Sequence, residues 1–217
     1  MTFSGFGEHA VDFYDWLAAD NSKPFWEDHK ALYLEHVRSP MTALLAELEP
    51  EFADGFGKGK VFRPFRDVRF SKDKTPYKDH CGAVIEPGRG AGAYYVQVSS
   101  AGLRAGGGCY HLATGQLARF RAAAAGDLHG TTLRSIVDDL VAKGWQVLGE
   151  QLKSRPRDYP AEHPRLDLIR HKQLYGATVW EPDDTLHERE CLDRVAAAWR
   201  ELRPLNEWFR DHVGVES

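Results

Sequence analysis

Apolar residues in the first third of the chain recur at helical intervals. Phe6, Ala10, Phe13 and Leu17 follow at spacings of four, three and four, which puts them on one helical face, and Asp20-Asn21 supplies the stop. A second helix is predicted from about Ser22, with Pro24 tolerated in its first turn and Trp26, Lys30, Tyr33 and Val37 along one stripe. Ser39 then reads as the cap of a third helix that has Pro40 at its first position and buries Met41, Leu44, Leu45, Leu48 and Phe52. The run Gly55-Phe56-Gly57-Lys58-Gly59 ends this helical part.

The period then shifts from about 3.6 to 2. Val61 to Phe70 is rich in aromatic and β-branched residues, and His80 to Glu86, Ala93 to Ser99 and Leu103 to Ala105 follow as strands between turn signals. Tyr94, Val96 and Val98 share one face and Tyr95 and Gln97 the other, as in a half-buried antiparallel strand. About four strands form a meander, because the spacing leaves no room for the crossover helices of a parallel sheet. Gly106-Gly107-Gly108 breaks regular structure. Helical stripes return from Thr114: first Leu117, Phe120 and Ala124, then Leu133, Ile136, Val137, Leu140 and Val141, with Gly144 as the C-terminal cap. Trp145 to Leu148 and Ala177 to Trp180 are further strand candidates. A loop at Arg155 to Pro164 and a short helix at Arg165 to Gln173 lie between them. The last helix carries Leu192, Val195, Trp199 and Leu202 until Pro204 interrupts it, and Trp208 and Phe209 continue its apolar face.

Helices, then strands, then helices make an α+β fold: a central antiparallel β meander flanked by N-terminal and C-terminal amphipathic helices. No linker divides the chain, so residues 1–217 read as a single domain. The 42% hydrophobic and 28% charged content is that of a soluble globular protein. Three widely spaced cysteines and no leader argue for the cytoplasm, and no apolar run is long enough to span a membrane.

Charge changes this picture. Met1 to Gly57 holds eleven acidic and three basic residues, a net of −8, whereas Lys58 to Lys78 holds eight basic and two acidic residues, a net of +6. The overall −4 therefore conceals one concentrated basic segment. From Arg63 to Lys78 the cations are Arg63, Arg66, Arg69, Lys72, Lys74 and Lys78, interleaved with Phe65, Phe70 and Tyr77. As a strand this segment would place Arg66 beside Phe62, Val68 and Phe70, with Asp67 between Arg63 and Arg69 as their clamp. Arginines offer bidentate contacts to phosphate or carboxylate, lysines a mobile charge, and Tyr77 a hydrogen bond or a stacking surface.

The residues Arg66-Asp67-Val68-Arg69-Phe70-Ser71-Lys72-Asp73-Lys74-Thr75-Pro76-Tyr77-Lys78 closely resemble the signature of an uncharacterised bacterial and fungal family, a domain of unknown function. Asn21, Phe25-Trp26, His29-Lys30, Tyr33, Gly106-Gly107-Gly108, Tyr110, Leu117, Arg121, Gly149, Leu152-Lys153, Arg155-Pro156 and His163-Pro164 match as well, so the resemblance covers nearly the whole chain. It departs at Ser22, where a second asparagine is usual, and at His111, where small residues or a nearby proline are more common. The resemblance implies membership and a shared site, and transfers no activity.

The reading that follows is an anion-binding site for a small phosphorylated or carboxylated molecule. Arg66, Arg69, Lys72, Lys74, Tyr77 and Lys78 would bind it, with Arg121 reaching in from a helix. His80 and Asp67 are the candidate proton acceptors, and Asp67, Asn21 and Trp26 give structural support. One alternative is a nucleic-acid module that stacks bases on Phe70 and Tyr77, which the acidic total disfavours; another is a basic loop that pairs with the acidic helices. Neither Gly106-Gly107-Gly108 nor Gly88-Arg89-Gly90-Ala91-Gly92 has the spacing of a phosphate loop. No metal site is assigned: His80-Cys81 and Cys109-x-His111 would have to meet across neighbouring strands to form a zinc set, and their spacing matches no known signature. Cofactor and oligomeric state are left open.

Overall fold

The computed structural model describes residues 2–55, 57–87 and 92–215, so Phe56 and the Gly88–Ala91 part of the second glycine run lie outside the described residues. Phe6 precedes the first helix, α1 (Asp12–Ala19), and its N–H bonds the Leu186 carbonyl at 2.9 Å. The next helix, α2 (Lys23–Tyr33), is capped by Ser22, whose hydroxyl accepts the Phe25 N–H at 3.3 Å. It runs through a π-turn at Leu34–Arg38 straight into α3 (Ser39–Phe52). Ser39 therefore caps nothing: its backbone is helical, and its N–H bonds the Leu34 carbonyl five residues back. Pro40 supplies the cause. It has no N–H to offer the carbonyl of His36 four residues earlier, and that carbonyl instead accepts the Gly7 N–H at 3.0 Å.

The sheet is built from β1 (Lys58–Val61), β2 (His80–Glu86), β3 (Ala93–Ser99), β4 (Gly102–Cys109), β5 (Gln146–Leu148) and β6 (Leu174–Trp180). Their order is β1-β2-β3-β4-β6-β5, with every neighbouring pair antiparallel. The chain is thus α+β, and the four-strand meander is extended by β6 and β5. Gly106-Gly107-Gly108 does not break the sheet; it lies inside β4. A Cβ on Gly107 would come within 3.1 Å of Leu202 Cδ1, and one on Gly176 within 2.7 Å of Leu202 Cδ2, so glycine lets the last helix settle onto the strands.

Beyond the meander come α4 (Thr114–Ala125), α5 (Asp127–Ala142), a four-residue α6 (Leu166–Ile169) and α7 (Glu190–His212). α6 is shorter than the predicted Arg165–Gln173 because the chain turns out of it to a bridge between His171 and Gln151. α5 ends as its glycine predicts, with Gly144 at φ 88° and the Trp145 N–H bonded to the Leu140 carbonyl at 3.0 Å. α7 continues through Pro204, because Trp199 and Leu202 before it and Leu205, Trp208 and Phe209 after it are all buried.

Leu45 of α3 lies over Gly59, and Leu140 of α5 and Leu202 of α7 lie over Gly176, so these three helices meet the same face of the sheet. That face buries Cys81, Ala83, Ile85, Tyr94, Val96, Val98, Leu103 and Ala105. Register places Tyr95, Gln97, Arg104 and Val179 on the opposite face, where they are half-buried or exposed. Among the described residues no helix is long and apolar enough to cross a membrane.

Candidate anion site

Val61 lies in β1 and the Phe62 N–H still bonds the Gly82 carbonyl of β2 at 2.9 Å, but the chain then leaves the sheet, so most of the predicted strand Val61–Phe70 is replaced by a loop, residues 62–79, closed on itself. Arg66 N–H bonds the Pro76 carbonyl and Lys78 N–H the Pro64 carbonyl, both at 2.8 Å, around a bridge between Phe65 and Tyr77. Pro64 and Pro76 lack the N–H groups that a ladder along β2 would use, which is why alternation of aromatic and charged residues misleads here.

At the tip of this loop the cations are held by its own acids. Arg66 bonds Asp73 and the Thr75 hydroxyl. Arg69 is 76% exposed and forms a fork with Asp67, Nε to Oδ1 at 2.9 Å and Nη2 to Oδ2 at 2.7 Å. Lys74 donates to the Val68 carbonyl at 2.9 Å, Lys72 is exposed, and Phe70 is 95% exposed. Asp67 thus clamps Arg69, whose guanidinium holds the carboxyl below its ordinary range. The expected strand face shared by Arg66, Phe62, Val68 and Phe70 does not form.

The neck of the loop is tied to the helices. Asn21 grips the Tyr77 backbone from both sides, donating through Nδ2 to its carbonyl at 3.0 Å and accepting its N–H at 3.1 Å. The Tyr77 ring is buried and stacks on Trp26, with centroids 4.4 Å apart and planes 11° from parallel. Trp26 therefore packs on the loop, with Tyr33 at 4.9 Å on another side. Arg38, the last residue of the π-turn, donates to the Phe62 carbonyl at 2.8 Å. Lys78 Nζ lies 5.3 Å from the Phe62 ring, and its pKa is pulled down by burial and then by the neighbouring Arg63 guanidinium.

Below the neck the Tyr33 hydroxyl donates to Cys81 Sγ at 3.7 Å. Burial raises the Cys81 pKa, and the Tyr33 hydrogen bond and the charges of Arg38 and Lys78 oppose that rise. Tyr14 is buried too, its hydroxyl has no partner among the described residues, and its pKa is raised by burial and by Cys81, Tyr33 and Asp79. No carboxylate pairs with Arg38, Arg63 or Lys78 among the described residues, whereas ten other basic residues have such a partner.

The remaining predicted positions lie elsewhere or have other partners. Arg121 donates to the Ile169 carbonyl at 3.2 Å, at the contact of α4 with α6. His80 Nδ1 lies 2.7 Å from Asp79 Oδ1. Cys81 and Cys109 cannot share a metal: β3 separates their strands, and Cys81 aligns through Val98 with Leu103, six residues along β4 from Cys109. Of the acidic N-terminal block, Glu47 pairs with Arg189 and Glu51 with Arg200 and Arg203, whereas Glu27 lies near enough to Tyr77 to add to the rise that burial causes in its pKa. Arg38, Tyr33, Tyr14 and Cys81 were absent from the predicted site. The signal for Arg38 was Pro40, which forbids a regular helix just where this arginine emerges.

Residues 9–208 match the model of a family described as a conserved hypothetical protein (DUF2461). No curated protein matches the chain.

Proposed function

Because the chain belongs to that family of conserved hypothetical proteins, whose description names no activity, we propose a function from the geometry: binding of a small phosphorylated or carboxylated molecule at the neck of the 62–79 loop. Lys78, Arg63 and Arg38 supply the charge, while Arg66 and Arg69, held by Asp73 and Asp67, shape the loop. The observation that carries this reading is the group of three cations with no carboxylate partner among the described residues, close enough for Arg63 to lower the pKa of Lys78. Cations held together without a counter-charge repel one another, and an incoming anion relieves that repulsion. Lys72 and Lys74 stand at the tip, where they can attract an anion over longer range.

Sulfate tests the reading. At constant ionic strength it raises the melting temperature saturably, the rise disappears in Lys78→Ala, and it persists in Arg69→Ala. An equal rise in Lys78→Ala would overturn the assignment. Phe70, fully exposed with Arg69 5.8 Å from its ring, favours a second reading in which the tip stacks on single-stranded nucleic acid. That reading requires an affinity that falls steeply with salt and is lost in Phe70→Ala.

A further inference from the structure

The far end of β6 is incompletely covered. β5 pairs with β6 only from Tyr175 to Ala177, so Thr178 and Trp180 have a paired strand on one side, β4, and none on the other. α5 has already ended at Ala142, and Gly144 turns the chain back toward β5. α7 lines the space beside Thr178 and Trp180 with Arg194, Ala197, Ala198 and Glu201, and a groove of about 290 Å³ is left open there. That volume is close to the lower end of the roughly 300–1,000 Å³ of ligand pockets. In the sheet β6 stands three places from β2, so this groove is separate from the neck of the 62–79 loop.

Its two ends are built differently. At one, the Arg194 guanidinium lies 5.7 Å from the centroid of the Trp180 ring, and Asp183 holds it in a fork at 2.9 and 2.8 Å, so that charge is already answered. At the other, Trp145 is buried, packs over Gly176 and donates through Nε1 to Glu201 Oε2 at 2.7 Å. This bond fixes the Glu201 carboxylate and leaves its second oxygen without a partner among the described residues. No base pairs with Glu201 among the described residues, although arginines take up Glu47, Glu51 and Asp183. Lys143 lines the same groove two residues before Trp145, and it too has no partner of opposite charge among the described residues. Arg194 and Glu201 are seven residues apart on α7, roughly 10 Å along its axis, and Ala197 and Ala198 between them present only methyl groups.

We propose that this groove binds a free α-amino acid with a large apolar side chain. The ammonium bonds Glu201, the carboxylate meets Lys143, and the side chain lies along Ala197, Ala198 and Thr178 toward Trp180. Charge complementarity selects this occupant. One unpaired acid and one unpaired base at the Trp145 end suit a zwitterion whose opposite charges hang on a single carbon. A simple amine leaves Lys143 unanswered, and a simple carboxylate is repelled by Glu201. Between the charged end and Trp180 the lining is methyl groups and indole apart from one threonine, so a polar side chain would lose its water there without replacement. Trp145 contributes by holding Glu201 in place, which lowers the cost of ordering it around the ammonium.

L-Phenylalanine, phenethylamine and 3-phenylpropionate carry the same ring with both charges, the ammonium alone and the carboxylate alone. Titrated calorimetrically into the intact chain, phenylalanine should bind about tenfold more tightly than either, the scale of one charge-assisted hydrogen bond. Glycine, which lacks the ring, should also bind about tenfold more weakly than phenylalanine. Glu201→Gln keeps an acceptor for Trp145 and should remove the advantage over 3-phenylpropionate. Lys143→Met keeps the stem and should remove the advantage over phenethylamine. Both side chains are exposed, so neither change threatens the fold. Phenethylamine binding as tightly as phenylalanine would overturn the zwitterion assignment, and glycine binding as tightly would overturn the apolar half. Phenylalanine binding that survives both substitutions undiminished would place the ligand outside this groove. If phenylalanine, leucine and tryptophan all fail to bind, the proposal fails.

Discussion

At the tip of the 62–79 loop, Arg66 and Arg69 each bond a carboxylate of the same loop; at its neck, Arg63 and Lys78 have none among the described residues. The two regions draw on the same residue types within a few positions of each other, so composition does not explain the difference. Position does. Asp67 is two residues from Arg69, close enough for a fork, and Asp73 returns to Arg66 across a turn that its own bonds to Thr75 create. Of the loop's three acids, Asp67 and Asp73 are thereby engaged at the tip, and Asp79, at the end of the loop, lies 2.7 Å from His80 and not against Arg63 or Lys78. The neck is instead held by neutral contacts, the Asn21 clamp and the Trp26 stack, which fix geometry without cancelling charge. A segment can be rich in arginine and still have part of its positive charge cancelled by its own acids.

The largest expected effect comes from removing what holds the neck. Trp26→Ala leaves a void against Tyr77, Tyr33 and Phe13 and should cost about 3–5 kcal/mol of stability, read from chemical denaturation. Phe70→Ala at the tip should leave the same curve unmoved, because that ring is exposed. Similar losses from the two would break the contrast. Asn21→Ala comes next. It strands the N–H and carbonyl of Tyr77 and should cost about 1–3 kcal/mol, and it should weaken sulfate binding without touching Lys78.

The pH dependence of binding sharpens the neck side. Burial and Arg63 hold the Lys78 pKa below the ordinary lysine value of 10.5, so its charge is lost at a lower pH than that of an exposed lysine. Sulfate does not titrate in this range. Its affinity should therefore begin to fall below pH 10.5 as the pH is raised, and Lys78→Arg should push that fall upward. An affinity constant up to pH 10.5 would show that Lys78 does not contact the anion.

Much of the fold could be read from residue patterns because periodicity reports burial. The stripe of α3, that of α5 apart from the exposed Val141, the alternation in β3 and the cap at Gly144 all follow local rules, and the structure obeys them. The failures sit where a local rule met a tertiary partner. Ser39 has the chemistry of a cap, but Gly7 takes the carbonyl that Pro40 leaves idle, and one helix continues through it. Gly106 to Gly108 resembles a break, yet the run lies in a strand where Leu202 packs on Gly107. The candidate site was half legible. The basic segment and Asn21 with Trp26 stand out in the chain, but which cations are neutralised depends on turn geometry that no spacing reveals.

The smallest effect probes the tip. The Thr75 N–H, then Arg66 and the Thr75 hydroxyl, hold the Asp73 pKa down at about 2, against an ordinary value of 3.8. For a depressed carboxylate the stabilising contribution is complete above the unfolded value and is lost as pH falls through the folded one. The tip should therefore stay ordered at pH 4 and come apart as the pH approaches 2, while the neck, held by the Asn21 clamp and the Trp26 stack, keeps its shape. The group is exposed, so the change in global stability should lie within the error of a denaturation curve. A local probe is needed, and the Thr75 amide, 3.0 Å from Asp73 Oδ1, provides one by nuclear magnetic resonance. Its shift should titrate with a midpoint near 2, the Tyr77 amide bonded to Asn21 should stay still, and Asp73→Asn should abolish the first titration alone. A midpoint at 3.8 would mean that Arg66 is not held by Asp73 in solution, and that the tip has its charge to offer after all.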